Sequence, residues 1–509
     1  MVAAGLLAAG VLCLVAAVGI GGAEKPAKQP AASPSPPAAA HSANRPVPAP
    51  PAEKSPAPRY ADVLIEGVPH VRQKPDFCGE ACAAMYLQKL GRPVDQDYVF
   101  DCSGLDPMQA RGCYTKELAA ALQNIGFETG PVWHRVEAAK RAAGMESLWK
   151  TVHADLAAGV PSIVCTHYDE RPQSSEHFRL ILGYDSKRDE VIYHEPAEDD
   201  GAYRRMKRRT LLELWPLKYD AKQWTVIRMA LKAGPPVSRA AYLPSAAGTH
   251  TPADYAQHLM QLKRKVPEGF TIVLEPPFFV IGDESPATVR RRAVGTVKWA
   301  VDKLKDAYFT KDPKDVLDIW LFKDKASYRK HTKSIFNAEP STPFGYFSHT
   351  DKALVMNIAT GGGTLVHEIV HPFVASNFPR CPAWLNEGLG SLYEQSSERD
   401  GKIVGLTNWR LAGLQKAIRD EKVPSFLTLC TTTQHQFYNE DPGTNYSQAR
   451  YLCYYLQEQD LLRKFYHRFH ANWEKDPSGY KTLREILGRR DMDRFQKEWE
   501  AWVLKLHFP

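Results

Sequence analysis

Three segments of the chain carry apolar residues at helical spacing. After Cys78, apolar side chains recur at positions 82, 85, 86 and 90, and Gly91 then provides a helix stop. We therefore predict a helix that begins at Cys78. Two further helices are predicted, one through residues 361–371 and one over residues 384–393.

Other apolar runs have the length of strands. Residues 177–185 and 191–193 predict two strands of one sheet, and a turn or a corner follows each. Residues 352–358 predict a third strand, which we place at the edge of a separate sheet. The mixture of helices and strands predicts an α+β protein.

Composition divides the chain into five parts. Residues 1–23 are apolar and uncharged, which is typical of a signal peptide or an N-terminal membrane anchor. Residues 24–59 are rich in Pro, Ala and Ser and predict a disordered linker, because this composition cannot bury a core. A second linker is predicted at 233–245, which leaves globular domains at 60–232 and 246–509. We expect an exported protein, either periplasmic, extracellular or anchored to a membrane outside the cytoplasm.

The overall composition excludes several classes of protein. Hydrophobic residues make up 44% and charged residues 24% of the 509 residues, which are ordinary globular values. The net charge of +7 is small for this length, so we predict no nucleic-acid partner. Nine cysteines are too dispersed for a small disulfide scaffold, although Cys102 and Cys113 flank a loop and can pair in an exported chain. The oligomeric state is left open.

The first domain contains residues suited to thiol catalysis. Cys78 lies at a predicted helix start, where the helix dipole favours the thiolate over the thiol. His177 is the best candidate for the general base, with His167 as a rival, and Glu195 is placed to orient His177. Gln73 can donate its side-chain amide to a developing oxyanion.

These residues resemble a known family. Gln73, the Cys78-Gly pair, His177 and the Glu195-Pro corner are similar to the bacteriocin-processing, double-glycine branch of the papain-like cysteine peptidases, over most of residues 62–230. The family usually has Asp where this chain has Glu195. The resemblance implies a papain-like domain that acts on peptide or protein substrates. Two alternatives stay open, namely a non-catalytic peptide-binding module and a cell-wall amidase or acyltransferase that uses the same Cys/His pair.

The second domain contains a metal-binding motif. His367 and His371 are four residues apart on a predicted helix, so both imidazoles can reach one Zn²⁺ ion, and Glu368 beside them can take a proton from the attacking water. Glu387 lies on the next predicted helix and supplies a third ligand. Pro372 directly follows His371 and predicts a kink or an early helix end.

This motif, with Asn386-Glu387-Gly388, resembles the gluzincin metallopeptidases of the peptidase-MA-like group from about Phe278 to the C-terminus. The resemblance implies a zincin-like domain, with a small mixed sheet above the active-site helix and a mainly helical C-terminal lobe. Tyr446 is the candidate transition-state stabiliser, with Tyr451 and His435 behind it. We therefore predict an exported tandem peptidase with a thiol site in the first domain and a Zn²⁺ site in the second.

Overall fold

A computed structural model describes residues 60–171, 174–234, 249–340 and 342–508. The described chain forms one α/β unit before residue 235 and a second after residue 248. The predicted signal peptide or anchor (1–23), the linker 24–59 and most of the 233–245 linker lie outside the described residues. Where the chain is described, no helix combines the length and the apolar character needed to cross a membrane.

An antiparallel sheet organises the first unit. Its strands are β1 (Val63–Leu64), β2 (Phe127–Glu128), β3 (Trp133–Glu137), β4 (Ser162–His167), β5 (Glu176–Asp185), β6 (Glu190–His194), β7 (Arg204–Lys207), β8 (Gln223–Ala230) and β9 (Lys232–Ala233). Seven of them form one sheet in the order β3-β8-β4-β5-β6-β7, with β1 paired to β5, and β2 pairs separately with β9. The two strands predicted at 177–185 and 191–193 are thus confirmed as the neighbours β5 and β6.

Helices cover both faces of this sheet. They are α1 (Cys78–Lys89), α2 (Gln96–Asp101), α3 (Thr115–Ile125), α4 (Arg141–Ala157) and α5 (Arg208–Leu214). Alternate residues of β5 follow the pleat: Leu180 and Leu182 pack with α1 and α3, whereas Ile181 packs with α4 and α5. Because β5 is covered on both sides, its residues 180–184 form a continuous apolar run. Helix α1 begins at Cys78, as the sequence predicts.

A five-stranded mixed sheet organises the second unit. Its strands are β10 (Thr271–Glu275), β11 (Phe278–Gly282), β12 (Leu317–Phe322), β13 (Gly345–Ser348) and β14 (Ala353–Asn357), and a separate hairpin contains β15 (Ser396–Arg399) and β16 (Lys402–Gly405). The order is β10-β11-β12-β14-β13, with β11, β12 and β14 parallel and an antiparallel strand at each edge. The prediction that residues 352–358 form an edge strand is therefore wrong. All of β14 is buried between β12 and β13, and the partly exposed β13 is the edge.

Helices make up most of the second unit. They are α6 (Pro252–Leu262), α7 (Pro286–Arg292), α8 (Trp299–Ala307), α9 (Lys325–Phe336), α10 (Gly363–Asn377), α11 (Ala383–Tyr393), α12 (Arg410–Arg419), α13 (Phe426–Thr431), α14 (Gln434–Asn439), α15 (Pro442–Glu458), α16 (Leu462–Asn472), α17 (Tyr480–Leu487) and α18 (Met492–Val503). A π-helical segment, Ala293–Lys298, joins α7 to α8. After α11 the described chain is helical apart from the β15–β16 hairpin, in agreement with the predicted helical C-terminal lobe.

Helix α10 continues through Pro372, so the predicted early helix end is wrong. Proline removes one backbone donor, but the turn that follows is buried, with Phe373 and Val374 in the core. At the end of the helix the Asn377 side chain donates to the carbonyl of Phe373 (2.9 Å) and to that of Lys311 (2.8 Å). Packing and these hydrogen bonds hold the last turn in place.

Helix α6 packs against both units. Its residues Ala253 and Ala256 lie in the core of the first unit, whereas Leu259 lies in a core cluster with the second sheet. Nε2 of Gln257 donates to the carbonyl of Pro75, at 3.0 Å, three residues before Cys78. The helix therefore connects the second unit to the segment that leads into α1.

Two candidate catalytic sites

Cys78 and His177 line one cleft in the first unit. Cys78 is the first residue of α1, and His177 is the second residue of β5, which packs beside that helix. The cleft has a volume of about 490 Å³ and is also lined by Gln73. The structure thus brings three of the predicted site residues to one cavity.

Glu195 fixes the orientation of the His177 imidazole. Nε2 of His177 forms a buried hydrogen bond with Oε1 of Glu195, which leaves Nδ1 as the ring nitrogen available to a thiol. The predicted third residue is therefore in contact with the predicted base. Its additional methylene, compared with Asp, does not prevent this contact.

Arg179 was not identified from the sequence, although it forms part of the same network. Its Nε donates to Oε2 of Glu195 at 2.8 Å, and its guanidinium also donates to the carbonyls of His167 (3.1 Å) and Tyr168 (2.7 Å). The side chain is almost fully buried. The available signal was its position two residues after His177 on one strand, because such residues share a face of the sheet.

The network keeps Glu195 ionised. Burial by itself raises the pKa of this carboxyl, but the hydrogen bond from His177 and the charge of Arg179 outweigh burial and lower the pKa below its ordinary value. A carboxylate at this position is suited to stabilise an imidazolium on His177 during catalysis.

The pKa of the Cys78 thiol is higher than the sequence predicts. Burial raises its pKa to about 12, and the N–H groups at the helix start and the backbone of Phe178 only partly oppose this effect. Within the described residues no hydrogen bond joins Cys78 to His177. The predicted preference for a thiolate is therefore not met, because neighbouring residues desolvate the thiol, although Cys78 is still partly exposed to solvent.

The remaining predicted groups of the first unit have clear positions. Gln73 has a buried side-chain oxygen, Oε1, without a hydrogen-bond partner among the described residues. His167, the rival base, lies at the end of β4, and its Nδ1 is 3.3 Å from the carbonyl of Ser174. Cys102 and Cys113 are free thiols, so the suggested pairing is absent from this structure.

Three side chains converge in the second unit. One ligand atom from each of His367, His371 and Glu387 lies within 4.8 Å of the other two. Helix α10 supplies both histidines and α11 supplies the glutamate. Oε2 of Glu387 is 3.2 Å from Nε2 of His367 and 3.8 Å from Nε2 of His371. Gly390 permits this approach of the two helices, since a Cβ there would lie 3.2 Å from the His367 ring.

Each of the three side chains also contacts a polar group through the atom that does not face the cluster. Oε1 of Glu394 lies 3.1 Å from Nδ1 of His367, and Nδ1 of His371 is 3.1 Å from Oδ1 of Asn386. The hydroxyl of Tyr438 donates to Oε1 of Glu387 at 2.7 Å. These contacts orient both Nε2 atoms and one carboxylate oxygen toward a common point.

The electrostatics of this cluster favour a cation. Burial opposes a charge on His367, but the carboxylates of Glu387 and Glu394 outweigh it and raise the pKa of His367 to about 10. Burial likewise opposes ionisation of Glu387, yet the two histidines lower its pKa to about 2. Glu368 is buried beside the cluster, and burial raises its pKa. A carboxyl with a raised pKa holds a proton more readily, which suits a general base.

The tyrosine selected from the sequence packs beside Tyr438, with ring centroids 6.2 Å apart. Tyr446 is buried, with its ring 5.2 Å from Phe437 and the guanidinium of Arg410 over its face. Tyr451 is buried too and accepts from the backbone of Asn408, while His435 is exposed. Tyr438 is the tyrosine that contacts a candidate ligand. It lies on the short helix α14, and its spacing from the motif gave no signal.

A known protein family matches part of the chain, within the first unit. The sequence model of the "Peptidase_C39 like family" matches residues 65–223, about a third of the chain. This match supports a papain-like cysteine peptidase domain in that region, with peptide or protein substrates. Among curated proteins, none is significantly similar to the chain.

Proposed function

We propose that this protein is a peptidase with two independent hydrolytic sites, a thiol site in the first unit and a Zn²⁺ site in the second. The observation that carries the proposal is the convergence of His367, His371 and Glu387 within 4.8 Å beside the buried Glu368. The family match and the Cys78–His177 cleft support the first site. Export remains a prediction from residues 1–23.

At the thiol site the reaction begins with a neutral Cys78. Nδ1 of His177 takes the thiol proton as Sγ attacks the scissile carbonyl carbon, and Glu195 stabilises the resulting imidazolium. The Gln73 side-chain amide donates to the developing oxyanion. His177 then returns the proton to the leaving amine, and water hydrolyses the acyl-enzyme.

The residues of the second site are a donor set that would suit a zinc ion. Two imidazoles and one carboxylate are common zinc ligands, and Oε2 of Glu387 lies 3.2 and 3.8 Å from the two Nε2 atoms. That carboxylate oxygen is buried and accepts no hydrogen bond from a described residue, which is consistent with a cation as its partner. When bound, the metal supplies Lewis-acid polarisation of the scissile carbonyl and of the attacking water.

The chain's own groups perform the other steps at this site. Glu368 takes a proton from the attacking water and delivers it to the leaving amine. Tyr438 holds Glu387, Asn386 holds His371 with its Nε2 toward the cluster, and Glu394 lies within ion-pair distance of Nδ1 of His367. The outer side of the edge strand β13 can pair with an extended substrate beyond Gly345, whose N–H and carbonyl are bonded to the Thr342 hydroxyl.

Selective inhibition tests this proposal. Hydrolysis of a peptide mixture by the wild type is compared with that by Cys78→Ala and His367→Ala, each with and without a chelator or a thiol reagent. Cys78→Ala should retain only chelator-sensitive cleavage, and His367→Ala only thiol-reagent-sensitive cleavage. The proposal fails if the wild type shows neither activity, or if each substitution removes both.

A second candidate function applies to the first unit alone. The raised pKa of Cys78 favours a peptide-binding module without catalysis, because a neutral thiol is a weak nucleophile. In that case Cys78→Ala should bind peptides as tightly as the wild type does, and thiol-reagent-sensitive hydrolysis should be absent. Detection of an acyl-enzyme on Cys78 by mass spectrometry would exclude this alternative.

A further inference from the structure

A cavity of about 530 Å³ opens beside the metal-ligand cluster. This volume lies within the range of about 300–1,000 Å³ that is typical of small-molecule sites. His367 and Glu368 line the cavity, and so does Gly345, the buried first residue of the edge strand β13. A group bound there is therefore next to the reacting bond of a peptide that pairs with β13.

Three aromatic side chains line the cavity, namely Trp299, Phe344 and Trp409. Trp409 is 49% exposed, which is unusual for so large an apolar group, and the guanidinium of Arg410 lies 4.3 Å from its ring. Nε1 of Trp299 donates to the carboxylate of Glu398 at 3.2 Å. Both indoles are thus held by polar neighbours at the wall of the cavity.

The bottom of the cavity is backbone. Residues 361–363 are glycines at the start of α10, and all three line the cavity. A Cβ at Gly363 would lie 2.1 Å from the carbonyl oxygen of Glu394, so the neighbouring backbone excludes a side chain there. Gly361 and Gly362 place no side chain in the cavity.

Two charged groups of the wall are paired with each other. Arg410 donates twice to the carboxylate of Glu394, at 2.8 and 3.0 Å, and the same carboxylate faces His367. An anionic guest would therefore lose its hydration without gaining Arg410 as its own partner. The cavity therefore favours an uncharged, flat guest that can stack on indole rings.

We propose that this cavity binds an aromatic side chain of the substrate, next to the scissile bond at the metal site. The inference rests on the proposed function, and it specifies the substrate class as peptides with Phe, Tyr or Trp at that position. Trp409 is the specificity-determining residue, because it is the exposed one of the three aromatic residues, whereas Trp299 and Phe344 are half-buried.

Peptide binding to the Glu368→Gln protein, with the thiol site blocked by a thiol reagent, tests this inference without relying on turnover. Fluorescent peptides that differ at one position, with Phe, Leu, Lys or Glu, are compared by anisotropy. The Phe peptide should bind about tenfold more tightly than the Lys and Glu peptides, and adding Trp409→Ala should weaken it about three- to tenfold. Adding Trp133→Ala, an equally exposed tryptophan of the first unit, should have no effect.

A second experiment separates the cavity assignment from the proposed function. A peptide library is cleaved by the wild type with the thiol site blocked, and the products are sequenced. Aromatic-selective binding without chelator-sensitive cleavage would support the cavity assignment and contradict the proposed function. Chelator-sensitive cleavage without an aromatic preference, together with unchanged binding in Trp409→Ala, would overturn the cavity assignment and leave the proposed function intact. A preference for Lys or Glu over Phe would also overturn it.

Discussion

The carboxylate of Glu394 lies 3.1 Å from Nδ1 of His367 and is held there by two hydrogen bonds from Arg410. Glu394 directly follows α11, seven residues after Glu387, and two helical turns bring both carboxylates to the same face. One of them faces Nε2 of His367 and the other faces Nδ1. The imidazole is therefore fixed from both sides.

Glu394→Gln should weaken metal binding by about 10- to 100-fold, because the amide orients His367 less strongly and does not increase its basicity. Competition with a chromophoric chelator measures this affinity. Glu440→Gln, at an exposed carboxylate of the same unit, is the matched control and should leave the affinity unchanged. Equal affinities for the two variants would contradict a positioning role for Glu394.

Cys78 should react slowly with iodoacetamide at neutral pH, because burial raises the pKa of its thiol to about 12 and only the thiolate reacts. The rate should rise about tenfold per pH unit from about pH 6 to about pH 9. Mass spectrometry of tryptic peptides measures the labelling of Cys78 and of Cys82. Burial also raises the pKa of Cys82, so Cys82 should be labelled later than Cys78. A plateau in the Cys78 rate below about pH 8 would contradict the assignment of a neutral resting thiol.

Glu195→Gln should lower stability by an amount that depends on pH. The pKa of Glu195 in the folded protein is below its ordinary value of 4.5, so folding favours the ionised form. The stabilisation that the ionised Glu195 gives to the folded state is complete above about pH 5, and it is lost as the pH falls through the lowered pKa.

Denaturant unfolding tests this dependence. The variant should be less stable than the wild type by about 1–3 kcal/mol near pH 7, and the difference should shrink near pH 3. Asp199→Asn, whose side chain is 93% exposed, should show no such dependence. A difference that grows toward acid pH would contradict the sign of the shift.

Glu368→Gln should reduce chelator-sensitive hydrolysis by about 10²–10⁴-fold, because the amide cannot accept the proton of the attacking water. Metal content should stay unchanged, since His367, His371 and Glu387 are intact. Thiol-reagent-sensitive hydrolysis should persist, because the Cys78 reaction needs no metal. Loss of both activities with the fold preserved would show that the two sites are coupled.

Local spacing predicted the elements that carry the chemistry. The helix at Cys78, the strands at 177–185 and 191–193 and the helices that carry the two histidines and Glu387 all follow from periodicity. Strand order depends on which segments pair across the sheet, and nothing in the apolar run at 352–358 distinguishes an edge strand from a central one. The short strand β13, which forms the edge, has too few residues to give a pattern.

The site residues that the sequence did not predict are recognised by contacts between residues that are distant in sequence. Arg179 and Glu195 are 16 residues apart, and Tyr438 and Glu387 are 51 residues apart. The prediction for Cys78 failed for a related reason, because the helix start indicates a low thiol pKa while the burial that raises it comes from the tertiary fold.

The most direct test of the two-site account is the metal content of the purified protein by mass spectrometry, for the wild type and for His367→Ala. The account predicts one zinc per wild-type chain, and none in the folded variant, because the site loses one of its three protein ligands. A wild type that lacks stoichiometric metal while still hydrolysing peptides after the thiol site is blocked would contradict the central claim.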